Sequence, residues 1–442
     1  MSGYANWKDT FFEERRIMAL EGYDISPTDS LAAKENESEP YWQDAYEKLW
    51  ALRANGIKKD YPYEEPEDFE SIIASASKMP SALEPLSDIE YENRIAGAIR
   101  GRCGGVVLGK PFELHLDRSF IKQYLESTGD YPLNDFAVSH SEKLDFTLGC
   151  KDSTRNNISF VENDDDINYT IYSLLLAEKK GFDFTHYDIG ETWLKNSPYY
   201  MFWCASRMAY YGMVSLRSDI SAEEQIKQFP YKTNPWRECI DGQIRSDMWG
   251  YLNPADPLAA AKIAYKDCSF SLIKNGCYGG MYVAGCIAAA LSKNPDVKTI
   301  INGGLSVIPK KSRLAEAVLL TVKWWEESKD FNVVCEKIEN RYKDLTMIDT
   351  INNLAVVTLA LLYGNLNYTK TITCAVMCGL DTDCNGGTAG SICGAAIGNH
   401  KVDARWTAPF NDSIHSTVAE FGSGKISELI DRTIALHQKL KK

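Results

Sequence analysis

Along most of this chain apolar residues recur at intervals of three and four, and runs alternating apolar with polar are short. That is the period of helices laid against a core, not of strands. Beyond residue 88 the spacing predicts helices at 91–104, 167–180, 255–266, 276–291, 312–328, 349–362, 386–397 and 425–439. The first 88 residues differ, being rich in charge and in aromatics such as Trp7, Phe11, Phe12, Trp42, Tyr46 and Trp50. Two amphipathic helices fit there, near 8–20 and 40–54, followed by the acidic connection Tyr61-Pro-Tyr-Glu-Glu-Pro66 and a second proline-marked join from Met79 to Pro85. The expected organisation is an N-terminal helical extension, 1–88, and a compact all-α multi-helix domain, 89–442, without internal repeats.

Small residues sharpen this picture. Gly97, Gly101, Gly105 and Gly109 lie four apart, as do Gly386, Gly390, Gly394 and Gly398, and Gly276, Gly280, Ala284 and Ala288 form a third stripe. A helical glycine costs about 1 kcal/mol against alanine, so repeated stripes predict helices whose backbones approach closely. Gly104 to Gly109 are expected in a loop. The charge-free runs Asn275–Ser292 and Thr350–Thr369 are long enough to span a bilayer. The glycines of the first and the asparagines of the second instead predict helices buried in a large core.

Composition narrows the function classes. Of 442 residues 44% are apolar and 25% charged, which is ordinary globular composition. Lys plus Arg number 48 against 61 Asp plus Glu, a net charge of −13. That balance opposes neutralising nucleic-acid phosphates or docking on anionic lipid, so neither nucleic acid nor membrane is expected as a partner. Composition carries no signal for oligomeric state. The opening MSGYANWKDTFFEERR has no cationic stretch followed by an apolar one, so a cytoplasmic protein is expected. Its twelve cysteines are accordingly expected to be reduced and mostly buried. No CxxC or HExxH occurs to support a zinc or thioredoxin-type site.

Two near-misses to known motifs are informative. Gly104-Gly-Val-Val-Leu-Gly-Lys-Pro111 imitates a phosphate loop, but Pro111 stands where the magnesium-binding hydroxyl belongs and the preceding pattern is helical. No GxSxG elbow occurs. Asp381-Thr-Asp-Cys-Asn-Gly386 imitates the opening of a calcium loop, but Ile392 occupies the twelfth position, where a bidentate glutamate is required. Asp381 and Asp383 are nevertheless embedded in uncharged sequence. Buried charge needs a cation, a partner or a helix N-terminus, and capping accounts for only one of them. A second acidic block, Glu162-Asn-Asp-Asp-Asp166, precedes a helix, where its charges either cap the helix or bind a divalent ion. Oxygen donors of this kind suit Mg²⁺ or Mn²⁺ far better than zinc. The six histidines share no metal-ligand spacing, and only His115 lies close to one of these motifs.

Together the blocks resemble the ADP-ribosylglycohydrolase family, whose founding members include the dinitrogenase-reductase-activating glycohydrolase. Arg94-Ile-Ala-Gly-Ala-Ile-Arg-Gly101 through Gly105-Val-Val-Leu-Gly-Lys-Pro-Phe-Glu113 is similar to the family's first helix and its Gly-Asp-Ala-Leu-Gly-x-Pro-x-Glu turn, with Val106 in place of the aspartate. Asn163-Asp-Asp-Asp166 resembles the Thr-Asp-Asp-Thr metal motif, and Gly379-Leu-Asp-Thr-Asp-Cys384 with Ala389-Gly390 resembles Gly-x-Asp-Thr-Asp-Thr. Gln243-Ile-Arg-Ser-Asp247 and Asn275-Gly-Cys-Tyr-Gly-Gly280 are lesser matches. The resemblance covers residues 89–400 and implies a compact all-α fold holding two Mg²⁺ or Mn²⁺ ions.

It also implies site residues. Asn163, Asp164, Asp165, Asp381, Asp383 and Cys384 would be metal ligands, with Asp166 in reserve should the register shift by one. Glu113 and Asp165 would be catalytic, and Asn275, Gly276, Tyr278 and Gly279 would contact substrate. Leu272 stands where many members have a histidine near the substrate. The implied reaction is cleavage of the C1 ribosyl bond of an ADP-ribosylated protein or related compound. Two alternatives stay open: a same-fold hydrolase of a small nucleoside-like or other glycoside, and a catalytically silent metal- or ligand-binding homologue.

Overall fold

The computed structural model describes residues 6–113 and 117–441. At its centre two glycine-striped helices lie back to back. Helix α3 (Asp88–Gly109; α1 and α2 are given below) begins at a reciprocal cap, in which Ser87 accepts from the Glu90 amide and the Glu90 carboxylate accepts from the Ser87 amide. It runs past the predicted end at 104, so Gly104 to Gly109 are helical and not looped. The reason is its partner, the 382–397 helix (Thr382–Ile397). A Cβ added at Gly97, Gly101 or Gly105 would lie 2.6, 2.4 or 1.9 Å from the carbonyl oxygen of Gly394, Gly390 or Gly386. The two main chains thus touch along four turns, and the contact offsets the conformational cost of the glycines.

The extension supplies α1 (Trp7–Leu20) and α2 (Glu39–Ala51), whose apolar faces enclose a small core of Phe11, Met18, Trp42, Ala45, Tyr46 and Leu49. Buried ion pairs fasten it to the rest of the chain. The fully buried Arg237 guanidinium binds both Glu14 and Glu21, and Arg313 binds Glu65 together with Glu238. Charges this deep persist only when paired and hydrogen-bonded.

After α3 come α4 (Asp165–Lys180), α5 (Lys274–Ala290), α6 (Phe331–Arg341), α7 (Thr350–Gly364), α8 (Tyr368–Met377), α9 (the Thr382–Ile397 helix) and α10 (Ile426–Leu440), with shorter helices between them. The charge-free runs form α5 and α7: every residue of α5 is buried, and among the described residues no helix is long and apolar enough to cross a membrane. Among the described residues strand is confined to two short antiparallel ribbons, 140–141 with 146–147 and 413–414 with 424–425. One expectation fails in the core. Cys335 and Cys378 form a disulfide between α6 and the end of α8, with Cα atoms 6.1 Å apart. They lie 43 residues apart in sequence, and only the packing of the helices brings them together.

Candidate metal centre

The glycine contact runs antiparallel, so the C-terminus of α3 meets the N-terminus of α9, where the Thr382 hydroxyl donates to the Gly109 carbonyl at 2.8 Å. Beyond Gly109 a single 3₁₀ turn, Lys110–Phe112, delivers Glu113 in an extended conformation. The N-terminus of α4 faces the same place, with Asp164 as its N-cap and Asp165 and Asp166 in its first turn. The three sequence blocks converge. Donor atoms of Glu113, Asp381 and Asp383 lie within 4.8 Å of one another, as do those of Asp164, Asp165 and Asp166, and those of Asp166, Asp383 and Cys384. Asp164, Asp166, Asp381 and Asp383 are buried, whereas Lys110, Glu113 and Asp165 keep some exposure.

The carboxylates are not equally available. Asp381 stands at the N-cap of α9 but caps nothing with its side chain, and Asp381 Oδ1 and Asp383 Oδ1 are buried without a hydrogen-bond partner. Asp164 has both oxygens engaged: Oδ1 accepts from the Asp166 amide at 2.9 Å and Oδ2 from Lys110 Nζ at 2.8 Å. Asp166 is likewise held, with Arg102 on Oδ1 at 3.0 Å and the Cys384 thiol on Oδ2 at 3.1 Å. Two other implied ligands are also hydrogen-bonded within the protein. Cys384 spends its thiol on Asp166, and the Asn163 amide oxygen accepts from Asn168 at 3.1 Å and from the Thr417 amide at 3.0 Å. Behind Asp381, Asn353 Oδ1 accepts from the Asp381 amide at 3.3 Å and from the Asn385 side chain at 2.7 Å, fixing the entry to α9.

Crowding sets the protonation of the centre. Burial, with the neighbouring charges of Asp383, Asp164 and Asp165, pushes the Glu113 carboxyl up to about 10. Burial and the charge of Asp164 raise Asp383 to about 6. Asp381 is driven well above the carboxylate range by burial and by Asp383 and Glu113. Burial works against the charge on Lys110, but the Asp164 carboxylate outweighs it and keeps the ammonium protonated. An arrangement in which several carboxyls are held up by one another is what a hard cation relieves.

The strip expected to contact substrate has its polar groups engaged within the protein. Asn275, Gly276, Tyr278 and Gly279 are fully buried on α5. The Asn275 amide donates to Glu65 and Glu238 and the Tyr278 hydroxyl to the Pro66 carbonyl, while the Cα atoms of Gly276 and Gly279 face Arg237 and Thr350. Their polar groups are taken by the extension and its ion pairs, because the peptide from Glu65 to Pro66 is laid directly over them. Leu272 is buried in a small cluster with Cys204, Cys239, Cys268 and Cys277. His115 lies outside the described residues.

Two cations of the centre are not singled out by the sequence. Lys110 occupies the variable position of the turn, and only the fold sets its ammonium against Asp164. Arg102 carried a clearer signal: a guanidinium in the otherwise apolar and glycine-rich face of α3, which needs buried anions and finds Asp166 and Asp247.

Comparison with known proteins agrees with this fold. The family model described as ADP-ribosylglycohydrolase matches residues 87–441. A solved structure titled "ADP-ribosylglycohydrolase-related protein complex" superposes with a TM-score of 0.50 at 17% identity, covering 79% of this chain and 99% of that one. No curated protein matches significantly. The family match spans the α3 turn, the Asn163–Asp166 block and the α9 motif, and this chain belongs to the ADP-ribosylglycohydrolase family.

Proposed function

We propose that this chain is a metal-dependent glycohydrolase that cleaves the C1 ribosyl bond of an ADP-ribosyl compound, including ADP-ribosylated protein. The observation that carries this reading is the pair of buried, unpartnered oxygens, Asp381 Oδ1 and Asp383 Oδ1, beside the Glu113 carboxyl. Their burial, hardness and mutual repulsion fit a Mg²⁺ or Mn²⁺ ion held by Asp381, Asp383 and Glu113. When bound, such an ion orients sugar hydroxyls and lowers the pKa of a water.

The protein's own groups supply the rest. Glu113 keeps access to solvent and takes or gives a proton at the oxygen of the attacking water or at the leaving atom. Asp165, at the mouth, offsets the positive charge that develops on the anomeric carbon as the bond breaks. The N-termini of α4 and α9 both point at the cluster, and their partial positive charge tempers the carboxylates.

The test combines binding and turnover. Mg²⁺ or Mn²⁺ should raise the melting temperature and EDTA reverse the rise. Release of ADP-ribose should be seen from at least one of a panel of arginine- and serine-linked ADP-ribosyl peptides. Glu113→Gln should remain folded and lose roughly 10²–10⁴-fold in turnover. A chain that shows no metal-linked stabilisation and releases nothing from the panel would contradict the reading. One observation favours a second reading, hydrolysis of a smaller ribosyl glycoside: the extension engages the polar groups of Asn275 and Tyr278. Turnover of a nucleoside-like glycoside in preference to every ADP-ribosyl peptide would establish it.

A further inference from the structure

We infer that the ammonium of Lys110 stands in for one divalent cation, so that this chain binds a single ion, at Glu113, Asp381 and Asp383. The inference rests on the metal-dependent reading above and concerns how many ions that site takes. Lys110 Nζ donates to the Asn163 carbonyl at 2.7 Å and to Asp164 Oδ2 at 2.8 Å, and its side chain is only 13% exposed. It therefore sits among the oxygens of the acidic block at the start of α4, where a cation would have to be.

The remaining oxygens of that block are committed to fixed donors. Asp164 Oδ1 caps the Asp166 amide. Asp166 carries Arg102 on one oxygen and Cys384 on the other. The Asn163 amide oxygen is used by Asn168 and Thr417. Only Asp165 is left to offer a ligand, and one carboxylate does not hold a hard dication against water. At the α9 end the situation is reversed, since Asp381 Oδ1 and Asp383 Oδ1 have no donor at all. The same centre thus has one half neutralised by side chains and one half whose buried carboxylate oxygens have no hydrogen-bond partner.

An ammonium is a compact point charge with three donors, two of which have partners among the described residues. Lys110 thereby contributes fixed positive charge, while Lewis-acid activation falls to the single ion.

Counting bound Mn²⁺ tests this without recourse to activity. The full-length chain and Lys110→Met are equilibrated with Mn²⁺, and bound metal is quantified by elemental analysis and by electron paramagnetic resonance. One Mn²⁺ per chain with the spectrum of an isolated ion is expected for the wild type and for Lys110→Arg. Two per chain with a spin-coupled spectrum are expected for Lys110→Met, which keeps the length of the side chain and loses its charge. Two coupled ions in the wild type would overturn the inference and leave the metal-dependent reading standing, and so would one ion in a folded Lys110→Met. No bound ion in the wild type would overturn both.

Discussion

The thiol of Cys384 donates to Oδ2 of Asp166 at 3.1 Å, on the side of the carboxylate opposite Arg102. Asp166 is thereby a buried carboxyl enclosed between a thiol and a guanidinium, and it anchors the first turn of α4 to α3 and α9.

Asp166→Asn should therefore act on the fold and leave the metal alone. Arg102 is fully buried and would keep only Asp247 as a counter-charge. Breaking one arm of a buried ion pair costs about 3 kcal/mol, to be read as a lowered urea midpoint, while the Mn²⁺-induced rise in melting temperature stays the size of the wild type's. Asp381→Asn should do the opposite, stabilising the ion-free chain by relieving repulsion and abolishing the Mn²⁺ effect. Exchange of these two outcomes would mean that Asp166 is a ligand.

The pH dependence has a definite sign. Glu113 is held at about 10 against an ordinary 4.5, and Asp383 at about 6 against 3.8. Each is an acid whose folded form keeps a proton that the unfolded chain has already lost. The ion-free protein should therefore be at its most favourable, as far as these groups are concerned, below about pH 4. It should lose stability as pH rises, through about 6 for Asp383 and up to about 10 for Glu113. Mn²⁺ binds the deprotonated forms, so its stabilising effect should grow from about pH 5 to 8 and its binding should release protons. Thermal scans in chelator and in Mn²⁺, with calorimetry in buffers of different ionisation enthalpy, check both statements. An Mn²⁺ effect that does not change with pH would refute them.

Gly105→Ala tests the central contact. The new Cβ would lie 1.9 Å from the Gly386 carbonyl oxygen, against backbone that cannot swing aside. Overpacking of this kind costs about 3 kcal/mol, and the spreading of α3 from α9 should weaken Mn²⁺ binding as well. Gly149→Ala is the control, since nothing lies within 4 Å of its added Cβ. Equal melting temperatures for the two variants would remove the contact from any role in stability.

Much of this was legible in the sequence, for identifiable reasons. Asp381 and Asp383 stood out because charge inside an uncharged run must be answered by something, and the glycine stripes because a repeated helix-weakening residue needs a return. The end of α3 was misread because the cost of Gly104 to Gly109 is local whereas its compensation, the backbone of α9, lies far along the chain. The same distance hid the Cys335–Cys378 pairing. Asn163 and Cys384 could be matched by position but not by orientation, because their hydrogen-bond partners, the donors Asn168 and Thr417 for Asn163 and the acceptor Asp166 for Cys384, depend on tertiary packing. The lysine of the Gly-Lys-Pro-Phe-Glu turn carries no sequence signal of its partner, and only the fold sets it against Asp164.

The contact between α3 and α9 is made by main chain and not by side chains, and that fixes the dimensions of the acidic centre. Side chains can change rotamer and let two helices drift by an ångström, but carbonyl against Cα has no such slack. Glu113 and Asp383 hang from the same end of this rigid seam, one from each helix, so the gap between them works as a calliper whose jaws are set by peptide geometry. Selectivity among dications, which rests on differences of a few tenths of an ångström in metal–oxygen distance, can then be written into the helices' separation without any ligand being changed.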